Sequence, residues 1–444
     1  MFNFTNKKYA IPTPAVNTYG KGVTEPLEET RQYPDGLTPK ELDFWTGGSK
    51  LFNHPFILNS AGMYRLGEWP DNAVTRANKD GLMIIGDSGG FQLGTGKLKG
   101  MPEFGEGLNA AQALERWDAL SDRVRKWVVA FGESFTTHMM TLDHPLWLAA
   151  DPDSKSAFAK CTVEQLTSMT VENLHFIEAN RQGNTKYLNV VQGITNHEFE
   201  HWWAAVKQFE FEGWALAGGA GANGGIAQML YAIHRMKEDG AFEEGRTHVH
   251  VLGVSTLKWA VFLTAIQNAL REQYSDFTVT YDSSSPFQAA MKYQKAYIAP
   301  VLGTELNSWK LPAVMVPHGF EHRESTEKFV CDASPLGKLM TLGDLNVKGG
   351  KHAKNHFDAQ SLYLVANHNV WTQLDALFKA NEAAFGDQKH KQTPEKYLKC
   401  IDLIQQSFKA DDWRLFLAEH QEFFDDVAPC IYTSKEEVEV SDDA

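Results

Sequence analysis

Four cysteines in 444 residues, at positions 161, 331, 400 and 430, are too few and too scattered for a disulfide framework or a paired Cys-x-x-Cys site. Their scarcity agrees with a reducing compartment. Long apolar runs are missing as well: nothing reaches the roughly 18 residues a transmembrane helix needs, and "MFNFTNKKYAIPTP" lacks the apolar core of a signal peptide. The chain is therefore expected to be soluble and cytoplasmic, with no membrane partner. Positive charge is also short, with 42 Lys and Arg against 56 Asp and Glu and a formal net charge of -14. That balance argues against nonspecific coating of nucleic acid, which needs lysine and arginine on phosphates, but it leaves room for a local basic groove. "RVRKW" (123–127) and "KGGKHAKNH" (348–356) are the candidates, and both read first as solvated surface. The acidic end, taken as residues 431–444, reads as a disordered tail. No internal repeat or low-complexity stretch is evident.

What is present is an ordinary globular composition, 43% hydrophobic and 12% aromatic, in a chain long enough for a large core. Seven short apolar runs each end in a polar or glycine-rich turn: "PFILNSA" (55–61), "GLMIIGDS" (81–88), "HMMTLDHP" (138–145), "KYLNVVQG" (186–193), "GWALAGG" (213–219), "VHVLGVS" (249–255) and "FTVTYDSSS" (277–285). Amphipathic stretches such as "TVEQLTSMTVENLHFIEANR" separate them. Strands alternating with helices imply a parallel sheet. With an eighth strand near 8–16 or 313–317, the pattern predicts an α/β fold, a (β/α)8 TIM barrel over residues 1–300, with a doubly wound open sheet as the alternative. Beyond about residue 300 the alternation weakens, which predicts an appended C-terminal subdomain and closing helices over 301–430.

The strand ends carry the chemistry. Asp87, Asp143 and Asp282 each close an apolar run, Gln192 closes another, and Gly218 and Gly219 a fifth. In a parallel barrel all these ends meet at one face, where active sites sit. One such residue alone reads as a turn cap; five strand ends together read as a site. Carboxylates gathered without a metal or basic partner raise one another's pKa, which suits acid/base work. Chemistry at a sugar C1′ needs such a set: one carboxylate to attack, a second carboxyl to move a proton on the leaving group. "GAGANG" (219–224) also matches G-x-G-x-x-G between a strand and a helix. Against a dinucleotide site, Glu238 and Asp239 fall before the next strand, not at its end.

"DSGGFQ" (87–92), "TLDHP" (141–145), "VVQG" (190–193), "AGG" (217–219), "HVLG" (250–253) and "YDSSSP" (281–286) stand in the order and approximate spacing of the tRNA-guanine transglycosylases, which the chain resembles over about residues 55–290. The resemblance implies a TIM barrel that exchanges guanine in a nucleic acid for a 7-substituted 7-deazaguanine, with no cofactor required for the chemistry. It implies Asp282 as nucleophile at C1′, Asp87 as general acid/base, and Ser88, Asp143, Gln192, Gly218, Gly219 and Leu252 around the base. The target nucleotide would be flipped out or presented single-stranded.

The departures from that family bear on the substrate. Phe287 follows Pro286 where tRNA enzymes commonly carry Pro-Thr-Arg to hold RNA, and "CDASPL" (331–336) keeps one cysteine of the family's zinc run C-x-C-x-x-C. His368 in "ANHN" stands at the distal ligand position, and His318 and His322 are the conceivable replacements beside Cys331. Loss of two thiolates of four weakens the case for structural zinc. The base-exchange set persists while the RNA-handling parts change, so the chain resembles more closely the DpdA-type DNA guanine transglycosylases of phages and DNA-modification islands. That branch implies DNA as partner and 7-cyano-7-deazaguanine (preQ0) or a relative as incoming base, in a host cytoplasm if phage-encoded. Action on tRNA, a noncatalytic accessory subunit, a sugar-processing hydrolase and a possible homodimer stay open at this point.

Overall fold

The computed structural model describes all residues except 1, 6, 26–30, 32, 35, 102–107, 151–155 and 433–444. The tail expected over 431–444 thus lies outside the described residues from position 433 onward.

Eight strands, all parallel, form the central sheet: β1 (Ile11–Pro14), β2 (Phe56–Ser60), β3 (Met83–Asp87), β4 (His138–Met140), β5 (Lys186–Val191), β6 (Gly213–Leu216), β7 (His248–Val251) and β8 (Thr278–Ser283). From β2 to β8 each pairs with the next in sequence, and β8 pairs with β1 in register Asp282 to Thr13. The remaining seam, β1 to β2, is drawn together by the Ala15–Leu58 bridge and by Val16 N–H donating to Leu58 O at 2.9 Å. The fold is an α/β TIM barrel. All seven apolar runs are strands, and the eighth is the N-terminal segment within 8–16. The 313–317 alternative is instead part of an antiparallel hairpin, β9 (Lys295–Tyr297) with β10 (Ala313–Met315).

The helices follow from caps and stripes. α1 (Ala110–Phe135), α2 (Val163–Asn180) and α3 (Asn196–Val206) each start at a reciprocal capping box, Asn109 with Gln112, Thr162 with Gln165, and Thr195 with Glu198. α4 (Gly225–Glu238) and α5 (Leu257–Arg271) complete the wound layer, and the short α6 (Ser285–Met291) leaves the nucleophile candidate's strand. Strand alternation divides the sheet into two faces. Val249 and Val251 point outward into the core shared with the helices, whereas Leu58, Ile85, Met140, Leu188, Val190 and Ala215 fill the barrel interior.

The C-terminal region is less separate than the sequence suggests. α7 (Ala359–Phe385) is buried along most of its length, and its Tyr363 and Trp371 share one core with Tyr19, Phe44, Trp45 and Phe287. α8 (Glu395–Ser407) and α9 (Trp413–Val427) pack on α5 and α4 as an outer layer. No described helix is long and apolar enough to cross a membrane.

Candidate functional site

β3 delivers Asp87 to the barrel's carboxyl-end face, where its Oδ2 accepts from Ser60 Oγ at 2.6 Å and its Oδ1 from Gly89 N–H at 3.1 Å. Burial raises its pKa above the ordinary carboxylate value; these two donors oppose the rise, and the nearby Asp282 carboxylate adds to it. The bare glycines that follow have a steric reason. Gly89 takes φ +87°, and its Cβ would stand 2.7 Å from the Cα of Gly62. A Cβ on Gly90 would stand 2.5 Å from the Asp143 carboxylate oxygen. The Asp-Ser-Gly-Gly turn is therefore smooth so that a second carboxylate can lie against its backbone. Ser88 is buried within this turn.

Asp143 comes from the loop after β4, and burial together with the charge of Asp87 pushes it up to about 7. Gln192, just past β5, holds it: Nε2 donates to Asp143 Oδ2 at 2.5 Å and to His144 O at 3.3 Å, while Oε1 accepts from Leu146 N–H at 2.8 Å. Gln192 thus orients Asp143 through Nε2, while Oε1, with one bond from Leu146, lies 3.7 Å from the open Cβ position of Gly218.

The two glycines after β6 also part company. Gly219 is packed against the β5–α3 loop, since a Cβ there would fall 2.2 Å from Ile194 Cα. Gly218, at φ +54°, is open toward the mouth, with only Gln192 Oε1 at 3.7 Å and Tyr432 Oη at 3.9 Å from its Cβ position. Leu252 closes the top of the apolar barrel interior. "GAGANG" forms two tight turns, and the N-terminus of α4 is covered: Ile226 N–H donates to Ala428 O at 3.1 Å, and Ile431 N–H to Asn223 O at 2.9 Å. The C-terminal segment thus lies over the place a pyrophosphate would take and occupies the Ile226 amide, which counts against the dinucleotide reading.

Asp282 sits on β8 at the edge of an open cleft of about 360 Å³ lined also by Gly253, Ser255, Ser284, Gln288 and Tyr293. Its Oδ1 accepts from Gly253 N–H at 2.9 Å and faces His250 Nε2 at 3.3 Å. No protein partner engages Oδ2 among the described residues, so one oxygen is anchored and the other is presented. At the rim Phe91 is 55% exposed with Trp147 against it, ring centroids 5.8 Å apart. Exposed aromatic faces of this kind are natural platforms for a planar base.

Three participants escaped the sequence: Ser60, His250 and Tyr432. The alternation in "HVHVLG" was the available signal for His250, because residues two apart share the inward face.

The residues proposed for zinc do not fit a zinc site. His368 has both ring nitrogens spent, Nδ1 on Ser334 Oγ and Nε2 on Tyr297 O, each at 2.8 Å. His318 stacks near His356 and His322 faces Glu321 and Glu327. Among the described residues no three His, Cys, Asp or Glu side chains are grouped to hold a metal. Of the basic runs, "RVRKW" lies on α1 with Arg125 on Glu172 and Lys126 on Asp122, and "KGGKHAKNH" is a loop with Lys348, Lys351 and Lys354 exposed.

Neither a protein-family model nor a curated protein matches the chain.

Proposed function

We propose that the protein is a guanine transglycosylase that exchanges guanine in DNA for a 7-deazaguanine base such as preQ0. The observation that carries this reading is the pair Asp87 and Asp282 in one barrel mouth, one carboxyl shielded and raised, the other anchored by Oδ1 with Oδ2 presented. One buried carboxyl and one carboxylate with a presented oxygen are the two environments that acid/base and nucleophile roles require.

In the first displacement Asp282 Oδ2 attacks C1′, the C1′–N9 bond breaks, and the departing guanine takes a proton from Asp87. In the second, the incoming base returns a proton to Asp87, its N9 attacks C1′ and the Asp282 carboxylate leaves. Two inversions keep the β-configuration, and no cofactor enters the balance. Asp143 in its ionised form accepts from the N1–H and exocyclic amine of a guanine-type base, and the open backbone at Gly218 approaches its edge. The base reaches this depth only when flipped out or unpaired.

DNA is favoured over tRNA by what fills the position after Pro286. Phe287 is 6% exposed and packs tilted against Tyr19 with ring centroids 5.3 Å apart, and Gln288, exposed and uncharged, stands where the tRNA enzymes the chain resembles carry the arginine of Pro-Thr-Arg.

The test is incorporation of labelled preQ0 into duplex DNA and, separately, into unmodified tRNA, with Asp282→Ala as control. Label in DNA alone, lost in the variant, is the expected result. Label in tRNA alone would move the substrate to RNA, and no label in either would end the reading.

A further inference from the structure

β7 and β8 stack four polar side chains inside a barrel whose interior is otherwise largely apolar. His248 Nε2 lies 2.9 Å from Thr280 Oγ1, the same hydroxyl lies 2.8 Å from His250 Nδ1, and His250 Nε2 lies 3.3 Å from Asp282 Oδ1. His250 is fully buried. Below them His138 meets the His248 ring edge-on at 4.8 Å. Burial holds His138 down to about 4 and His248 well below the usual imidazole range, so both are neutral.

Donor counting orders this row. A neutral imidazole has one N–H and one bare nitrogen, and a hydroxyl has one proton. Asp282 in its ionised form only accepts, so His250 meets it with an N–H on Nε2; in the neutral ring Nδ1 is then bare. Thr280 therefore donates to Nδ1, and its oxygen is free to accept from His248 Nε2–H. Every donor in the row points toward Asp282.

We propose that His250 is a positioning residue for Asp282, fixed in its Nε2–H tautomer by Thr280 and His248, and that it governs breakdown of the covalent glycosyl intermediate. This inference rests on the transglycosylase reading above. His250 and Gly253 N–H together hold Oδ1, which leaves Oδ2 as the attacking atom. Once C1′ is bonded to Oδ2, Oδ1 is the carbonyl oxygen of the ester. When the incoming base attacks, the C1′–Oδ2 electron pair returns to the carboxylate and negative charge spreads onto Oδ1. Two donors already in place stabilise that charge, in the manner of an oxyanion hole. Because they favour the free carboxylate over the ester, their loss slows the second displacement more than the first.

Two substitutions separate this role from packing. The amide nitrogen of His250→Gln reaches the place of Nε2 and keeps a donor on Asp282. That of His250→Asn reaches only the place of Nδ1, so the Asp282 contact is lost. With labelled preQ0 and DNA, His250→Asn is expected to lower kcat roughly 10- to 100-fold with KM for the base unchanged, and to accumulate protein–DNA adduct under turnover. His250→Gln is expected to stay within about threefold of the parent in kcat, without accumulation. Equal kcat in both variants, whether both intact or both disabled, or a fall in kcat without adduct build-up, overturns the proposal. A parent protein that exchanges no base overturns the transglycosylase reading itself, which the variants then cannot rescue.

Discussion

Asp143 gives the site its clearest pH signature. Its pKa rises from the ordinary 3.8 to about 7 in the fold, so between these values the unfolded chain has the carboxylate ionised while the folded protein keeps it protonated. Folding then takes up a proton, and the contribution of this group to stability is present at low pH and is lost as pH rises toward 7. Asp143→Asn is accordingly expected to raise Tm at pH 8, corresponding to a few kcal/mol at most, and to change it little at pH 4. On the proposed function the same proton would interfere with base recognition, because a protonated carboxyl offers a donor where guanine also offers donors. KM for the incoming base should therefore rise about tenfold per pH unit below 7, and Asp143→Asn should bind the base weakly with a flat profile. A KM independent of pH between 5 and 8 would contradict this account of Asp143. Asp87→Asn keeps the Ser60 contact but has no proton to give, and is expected to lower kcat by roughly 10²- to 10⁴-fold in steady-state exchange assays.

At the scale of elements, the Asp-Ser-Gly-Gly turn and the C-terminal segment decide the shape of the mouth. Gly90→Ala places a methyl 2.5 Å from the Asp143 carboxylate and should raise KM for the base more than it lowers kcat, a split that steady-state kinetics reads directly. Most strands were legible because apolar runs ending in turn residues have few other readings, and the carboxylates at their ends were legible for the same reason. β1 was only located approximately, since Pro12 and Pro14 remove two of the N–H groups that a strand normally offers; the thin β1–β2 seam is the structural counterpart. The orienting bond of Gln192 on Asp143 and the packing of Gly219 on Ile194 could not be read from the sequence, because both partners lie on other segments. His250 stayed hidden because a histidine in an apolar strand reads as core until its partner two residues along the next strand is known. Tyr432 is more than two hundred residues from Asn223, which it meets at 3.5 Å, and no local pattern connects them.

For the whole molecule, the expected division at residue 300 meets a core that crosses it. Asn367 of α7 donates to the Tyr19 hydroxyl at 2.8 Å, and Asn369 accepts from Tyr297 N–H at 2.8 Å and donates to Pro286 O at 3.1 Å. A fragment ending at residue 300 would leave Tyr19, Phe44, Trp45 and Phe287 without Tyr363 and Trp371, an exposed apolar surface too large for a stable monomer. Such a fragment is expected to be insoluble or molten, and a cooperative near-ultraviolet signal from it would show an independent barrel. The barrel and the C-terminal helix α7 thus share one core, next to the segment that follows Asp282. The most direct test of the face where Asp87, Asp143 and Asp282 converge is to incubate the full chain with DNA in the absence of free base, quench with denaturant and map any covalent adduct by mass spectrometry. The account predicts a nucleic-acid adduct on the peptide containing Asp282, lost when preQ0 is added before quenching; an adduct on another residue, or none while base exchange proceeds, would contradict it.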